Sequence, residues 1–580
     1  MDLGHDLTAP IADTSRTALF YVTEAWQRLS RRLARGRISA LRFVGTTPDR
    51  LLVAPIDLRA ADAHIATEIY AGRFPLAGNQ LENGGASPFL ISHPSTAFTA
   101  NLHEFSWLRH MRAADHDLAA ANGRSLVDDW IAAYGRNLNS IAYRPDILSV
   151  RLVAWFSHSP VVLRGADHGF YRRFLKSIAL QMRYLKHIAP GILDDETRFR
   201  ARIALAMASL CLPTPAGAIN AAARRLDAEF ERQILPDGGH ISRNPQVLLT
   251  LLTDLLPLRQ TYVNVGHRVP VRLSAGIDRM FAALRFFRHS NGEVALFNGA
   301  SAVSANALMT ILHYDDTAGQ PFREAPHSAF QRLSARNSVV IADTGAPPHG
   351  QNSRKAHGGC LSFEMSSGNN RFIVNSGGPG NENPDHVLFS RLTAAHSTLT
   401  INDTSSLRFS KSRFLGPIIV GGVSKVSVEN IDAPGRWLGF SASHNGYLGP
   451  VGKIHCRDLQ LAEDGSALHG RDRIELPGGK PIGERDKDTA TLRFHLDPAI
   501  QARQHDDGTI ILNAPDGECW AFLCGDARPE IGDDVHFAGL LGLRASKQIV
   551  LTFALREISD ISWTLMRVPR PPVSIEAENS

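Results

Sequence analysis

At 580 residues, with 43% hydrophobic and 21% charged side chains, the chain is too long for one ordinary core and too apolar to be disordered. Its formal net charge of +5 comes from 62 Lys and Arg against 57 Asp and Glu, well mixed along the sequence, which favours an acidic partner only weakly. Arg dominates the basic set and suits bidentate recognition of carboxylates or sulfates; no helix-turn-helix, zinc-finger spacing or aromatic-basic motif accompanies it, so no nucleic acid is expected.

From the N-terminus, the stretch Met1 to Trp26 has early acids and no basic segment leading into a long apolar one, so it does not read as a secretory signal. Nowhere do roughly 18 uninterrupted apolar residues suggest an integral membrane segment. The interval 38–94 is mixed, with one strand-like run from Leu51 to Ile56. Apolar residues then recur with helical spacing, and helices are predicted over 14–36, 95–122, 124–135, 146–158, 167–188, 196–212, 216–235, 246–264, 270–289 and 301–313. In the 216–235 segment Ile219, Ala222, Leu226, Phe230 and Ile234 form one stripe, ended by Pro236-Asp237-Gly238-Gly239. Pro145 and Pro245 each stand where a first helical turn begins.

Around 325–337 the period changes from helical to two. Strands are predicted at 338–343, 360–367, 371–376, 397–403, 417–431, 437–443, 491–497, 509–514, 519–524 and 548–555, with no helix between them, which argues for an antiparallel β-sandwich. The domain expectation is therefore a mixed region over 1–94, a helical domain over 95–330 and a sheet domain over 331–575. Five scattered cysteines, with Cys519 and Cys524 too far apart for a CxxC pair, imply no disulfide framework.

Three motifs carry a family resemblance. ILPDGGHISRNPQ (234–246) looks like a helix-ending Asp-Gly-Gly turn placed in a cleft. RLTAAHSTLTINDTSS (391–406) looks like a His-Ser-Thr strand opening a C-terminal domain, and HNGYLGPVGKIHCRDLQL (444–461) is followed in order by GRDRIEL (470–476) and RFHLDP (493–498). Together they resemble the heparinase II/III-like proteins over roughly residues 95–560. The resemblance implies an N-terminal (α/α) toroid, an incomplete helical barrel, followed by the sandwich. It also implies β-elimination on a uronic-acid polysaccharide in the cleft between them.

That reaction removes a weakly acidic proton beside a carboxylate, so it requires a donor that neutralises the carboxylate and a His or Tyr that handles the proton. No cofactor is required for it. The resemblance makes His240 and His396 the catalytic candidates, facing one another from the two halves; Tyr262, at the end of the helix that begins at Pro245, is a third candidate, a phenol for the same cleft. His396 has small neighbours that leave its ring room to reach solvent. Arg243, Asn244, His444 and Tyr447 are the candidate substrate-binding residues. Some relatives carry a structural zinc, for which His396, Asp403, His444 and His495 offer donors, but the spacing fixes no metal site. The bland readings stand beside these: a capped helix end for the turn, a strand-end histidine for His396, and a helix-terminal tyrosine for Tyr262.

The chain departs from the family pattern in two places. No Asn-His pair stands in 193–206, and Gln246-Val247-Leu248 occupies the place of a post-turn tyrosine. Two alternatives follow: other residues have taken over the chemistry, or the chain is a catalytically degenerate glycan-binding or cell-envelope protein. A hydrolase is a third reading, with Asp237 and Asp254 as its carboxylates, although Asp237 is better explained as a turn residue. Family habit points to the periplasm or cell envelope, the N-terminus to the cytoplasm.

Overall fold

A computed structural model describes residues 18–26, 28–29, 42–193, 195–317, 319–348, 350–380, 383–433, 435–540 and 542–569. The helix expected over 14–36 is present where it is described, at 18–26 and 28–29; its remaining residues lie outside the described ones.

The helical half forms two rows. Thr96–Glu104, Pro145–Ser157, Asp195–Cys211 and Pro245–Asn264 contact one another in succession, and Asp117–Tyr134, His168–Ile188, Ala216–Gln233 and Val271–Phe286 pack against them. The rows differ as their sequences require. Pro145–Ser157 buries Ile147, Leu148, Leu152, Trp155 and Phe156 on all sides, whereas Ala216–Gln233 buries only the stripe of Ile219, Leu226 and Phe230, with Glu229 and Gln233.

The single helix expected over 95–122 is instead broken at Phe105 (φ 57°) and Asp115 (φ 48°), both left-handed, giving Thr96–Glu104, Leu108–Ala114 and Asp117–Tyr134. No strand forms at Leu51–Ile56; the local hairpin is Arg73–Leu76 with Asn79–Glu82.

The C-terminal half holds two large antiparallel sheets. One runs, in spatial order, Glu530–His536, Arg544–Ala554, Thr489–Leu496, Asn370–Val374, Phe363–Ser367, Ser338–Asp343, Phe330–Ala335 and Glu324–Ala325, with Leu399–Ile401 also paired to Thr489–Leu496. The other runs Val426–Asn430, Trp437–His444, Ile454–Ala462, Ala467–Glu475, Asp560–Arg567, Cys519–Cys524, Ile510–Asn513 and Gln501–Gln504. They share one apolar core, in which Phe363 of the first sheet stacks on Trp563 of the second with centroids 5.5 Å apart.

Contrary to the expectation of strands alone, a helix at Pro384–Ser390 interrupts the series, capped by Asn383 and begun by Pro384. Ser338–Asp343 is buried along its whole length. Val340 and Ala342 enter the core between the sheets, while Val339 and Ile341 join the helical core. This two-sided burial explains the unbroken apolar run from Val339 to Ala342 and welds the halves together.

Candidate functional site

The Asp-Gly-Gly turn follows Ala216–Gln233 at the junction of the halves. Gly238 has φ 85°, and a Cβ there would lie 1.9 Å from the Arg279 carbonyl, so only glycine fits. The Asp237 carboxylate accepts from the backbone N–H groups of His327 (2.9 Å) and Ser328 (2.7 Å) and from the Ser328 hydroxyl (2.8 Å). It pins the turn to the start of the sheet half. His240, 2% exposed, accepts from the Ser242 N–H at Nδ1 (3.1 Å) and therefore donates from Nε2 to Gln233 Oε1 (3.0 Å). Gln233 in turn donates to Glu229, which pairs with Arg198, so His240 closes a buried network.

Arg243 adopts φ 58° and engages every guanidinium nitrogen with protein. Nε donates to Ser328 O (2.8 Å), Nη1 to Gly345 O and Ala346 O (both 3.2 Å), and Nη2 to Ala329 O (2.9 Å) and Asp343 Oδ1 (2.5 Å). The fork joins the halves and leaves no donor for a carboxylate ligand. Asn244 caps Pro245–Asn264, its Oδ1 accepting from Gln246 N (2.8 Å).

On the sheet side, His396 is not open to solvent as expected from its small neighbours. It is 1% exposed, because the ring of His357 fills the adjacent space, with His357 Nδ1 at 3.2 Å from His396 Nε2. Two glycines permit this approach. A Cβ at Gly359 would stand 2.7 Å from His396 Cδ2, and one at Gly358 would stand 2.8 Å from Thr393 Oγ1.

Burial pushes the His396 pKa down to about 4 and that of His357 well below the usual range, so both rings are neutral near pH 7. Their protons are then ordered by geometry. His396 Nδ1 lies 2.9 Å from the Leu392 carbonyl, which only accepts, so Nδ1 carries the proton and Nε2 is an acceptor. His357 must donate to it from Nδ1, which leaves a lone pair on His357 Nε2.

That lone pair borders a space kept open by Gly299. A Cβ on Gly299 (φ +86°) would meet His357 Nε2 at 3.3 Å and Asn244 Nδ2 at 3.8 Å. An acceptor from the sheet half and an amide donor from the helical half therefore converge above one glycine. Asn298 steadies them: its amide donates to Arg243 O (3.3 Å) and Asp343 Oδ2 (3.2 Å), and its Oδ1 accepts from His357 N (3.5 Å).

The remaining candidates lie elsewhere. His240 and His396 make no contact with each other among the described residues. Tyr262 is buried near the far end of Pro245–Asn264, about 27 Å along the helix axis from Asn244. Tyr447 donates to Leu399 O (2.6 Å), and His444 packs against Tyr447 and His455; both lie in the core between the sheets. His495 pairs with Asp534 (2.7 Å) and exposed Asp403 with Arg493 (3.2 Å). No group of three or more His, Cys, Asp or Glu side chains placed to hold a metal ion occurs among the described residues. Asp254 is held by Arg59 (2.5 Å) and Arg200 (3.4 Å).

Sequence reasoning missed His357, Asn298 and Gly299. The available signal was Ala-His-Gly-Gly at 356–359, a histidine followed by two residues that allow close approach. Nothing in the linear sequence pairs it with His396.

The family model described as heparinase II/III-like, C-terminal, matches residues 317–564. FtsZ-localized protein C of Caulobacter vibrioides (strain NA1000 / CB15N) is 30% identical over 533 residues, 90% of this chain and 91% of that protein. The fold is similar to the crystal structure of heparinase III, with a TM-score of 0.69, 14% identity, and 95% of this chain and 91% of that one covered. It is also similar to a mutant of heparan sulfate lyase HepC from Pedobacter heparinus, with a TM-score of 0.59, 14% identity, and 97% and 89% covered.

Proposed function

The chain belongs to the heparinase II/III-like family, and on that premise we propose that it is a polysaccharide lyase-like protein acting on uronic-acid-containing chains. In this reading the two rows of helices form an incomplete α/α toroid, the sheets a β-sandwich, and the glycan lies in the cleft where they meet. The domain limits are those of the sequence reading, about 95–330 and 331–575.

The single observation that carries the reading is the convergence of His357 Nε2 and Asn244 Nδ2 above Gly299. A uronate carboxylate accepting from Asn244 Nδ2 has its charge partly neutralised, which acidifies the proton on the adjacent carbon. His357 Nε2 takes that proton, the C–H electron pair becomes the C=C bond, and the glycosidic C–O bond breaks. The imidazolium then returns the proton to the departing oxygen. His396 accepts from His357 Nδ1 throughout and, held by Leu392 O, fixes the orientation and tautomer of His357, the positioning part of what a buried aspartate does for a catalytic histidine. The low pKa of the pair keeps the base unprotonated at neutral pH, and the anionic substrate raises it on binding.

A second reading, a degenerate glycan-binding protein of the cell envelope, is favoured by two specific observations. Arg243 has no donor left for a ligand, and Tyr262 stands far from the histidine pair. The relative named for localisation with FtsZ adds to this reading a place beside FtsZ. Incubation with heparan sulfate, hyaluronan, alginate and bacterial acidic exopolysaccharides, followed by ultraviolet absorbance of the conjugated product, tests the first reading. Binding without absorbance supports the second, and new reducing ends without absorbance support hydrolysis.

A further inference from the structure

The turn that follows Pro245–Asn264 and one face of Ala216–Gln233 enclose a cleft of about 420 Å³, within the range of small-molecule sites. It lies away from the histidine pair, since Tyr262, on its wall, is about 27 Å along the helix axis from Asn244, the cap of the same helix. Two polar atoms of its lining residues lack a hydrogen-bond partner among the described residues. The Tyr262 hydroxyl is buried without a hydrogen bond on a residue 1% exposed, and Asp227 Oδ1 is likewise buried and unpaired. Burial raises the pKa of both; the Asp227 charge pushes Tyr262 further up, while Arg272 partly offsets the shift of Asp227.

The rim has the opposite character. Arg224, His267 and Arg268 line the mouth and are exposed, while Ile219 supplies an apolar wall. A ligand that satisfies this cleft carries hydroxyl groups to lie between the phenol and the carboxylate, and an acid to meet the cationic rim. A hexuronate has both on one ring. A neutral sugar lacks the acid, and a simple acid lacks the donors that Asp227 needs.

We propose that this cleft is a second binding site for an acidic sugar residue, with Tyr262 and Asp227 holding its hydroxyls and Arg224 and Arg268 its carboxylate. The choice of ligand rests on the acidic-polysaccharide reading above; the site itself rests on the cleft. Because it is separate from the junction, it acts as an anchoring point for the polymer, independent of any chemistry at His357.

Titration calorimetry with a glucuronate-containing tetrasaccharide tests this on the full chain. In a background carrying Asn244→Ala and His357→Ala, binding should persist. Adding Tyr262→Phe or Asp227→Asn should then weaken it at least tenfold with an unchanged melting temperature, and the carboxyl-reduced tetrasaccharide should bind at least tenfold more weakly than the acid. If the junction background abolishes binding and the cleft variants alone leave Kd unchanged, the second site is overturned while the lyase reading stands. Absence of binding by the parent protein overturns both. Binding of glycine at the cleft in place of the tetrasaccharide overturns the ligand class.

Discussion

His357 Nδ1 stands 3.2 Å from His396 Nε2, with the two ring planes at 87°, and the Leu392 carbonyl behind His396 fixes the direction of both protons. The first prediction concerns those protons. Two-bond nitrogen–proton correlation spectra of the imidazoles should show both residues as neutral Nδ1–H tautomers at pH 7. A proton on His357 Nε2 would remove the proposed base.

Gly299 should tolerate no side chain. Gly299→Ala places a Cβ 3.1 Å from the Lys355 carbonyl and 3.3 Å from His357 Nε2, at φ +86°. The strained backbone should cost about 1–2 kcal/mol in chemical denaturation. Glycan binding or turnover should fall at least tenfold, beyond what that loss of stability explains, because the methyl occupies the space between base and amide.

Arg243 should prove a residue of stability. Arg243→Ala leaves Asp343 and four backbone carbonyls short of their shared donor, and urea denaturation should show a loss of about 3–5 kcal/mol. Arg243→Lys should recover little of it, since an ammonium cannot span acceptors placed for a planar fork. A loss below about 1 kcal/mol, as for a surface pair, would contradict this role.

Stability should fall as pH drops from about 6.5 towards 4. Burial holds the His103, His110 and His396 pKa values at about 3, 4 and 4. A histidine depressed in the folded state stays neutral there while the unfolded chain takes up a proton, so its contribution is complete above the unfolded pKa and shrinks as pH falls below it. For fully buried His396 the effect is on the order of 3 kcal/mol across that window. His396→Gln should flatten the dependence of the urea midpoint on pH; an unchanged slope would show that His396 titrates normally.

These relationships were unevenly legible in the sequence. Helix positions and the switch to period two follow from apolar spacing, and Ser338–Asp343 and Cys519–Cys524 were read to the residue. Ile454–Ala462 and Ala467–Glu475 were not, because their inward positions carry His455, Arg457 and Asp472. Arg457 and His455 both bond Asp472 inside the core, so these strands alternate in burial but not in hydrophobicity. The break at Phe105 leaves no turn residue in the sequence to betray it, and Asp115, a residue type that tolerates the left-handed conformation, is a weak signal inside an otherwise helical run.

For the site, the turn motif supplied Asn244, which caps Pro245–Asn264. His240 and Arg243 were drawn from the same motif, yet folding turns both inward onto Gln233 and Asp343. His357, 39 residues before His396, becomes its partner only through the loop of Gly358 and Gly359. A pairing made by loop closure has no periodic trace.

The most direct measurement follows unsaturated uronate by ultraviolet absorbance, and glycan binding in parallel, for the parent protein and for His357→Ala. The parent should generate the absorbing product, while the variant should bind the same polysaccharide and generate at least a hundredfold less. Equal rates from the two proteins would contradict the assignment of His357 as the base, and a parent that binds without any product would contradict lyase chemistry at this junction.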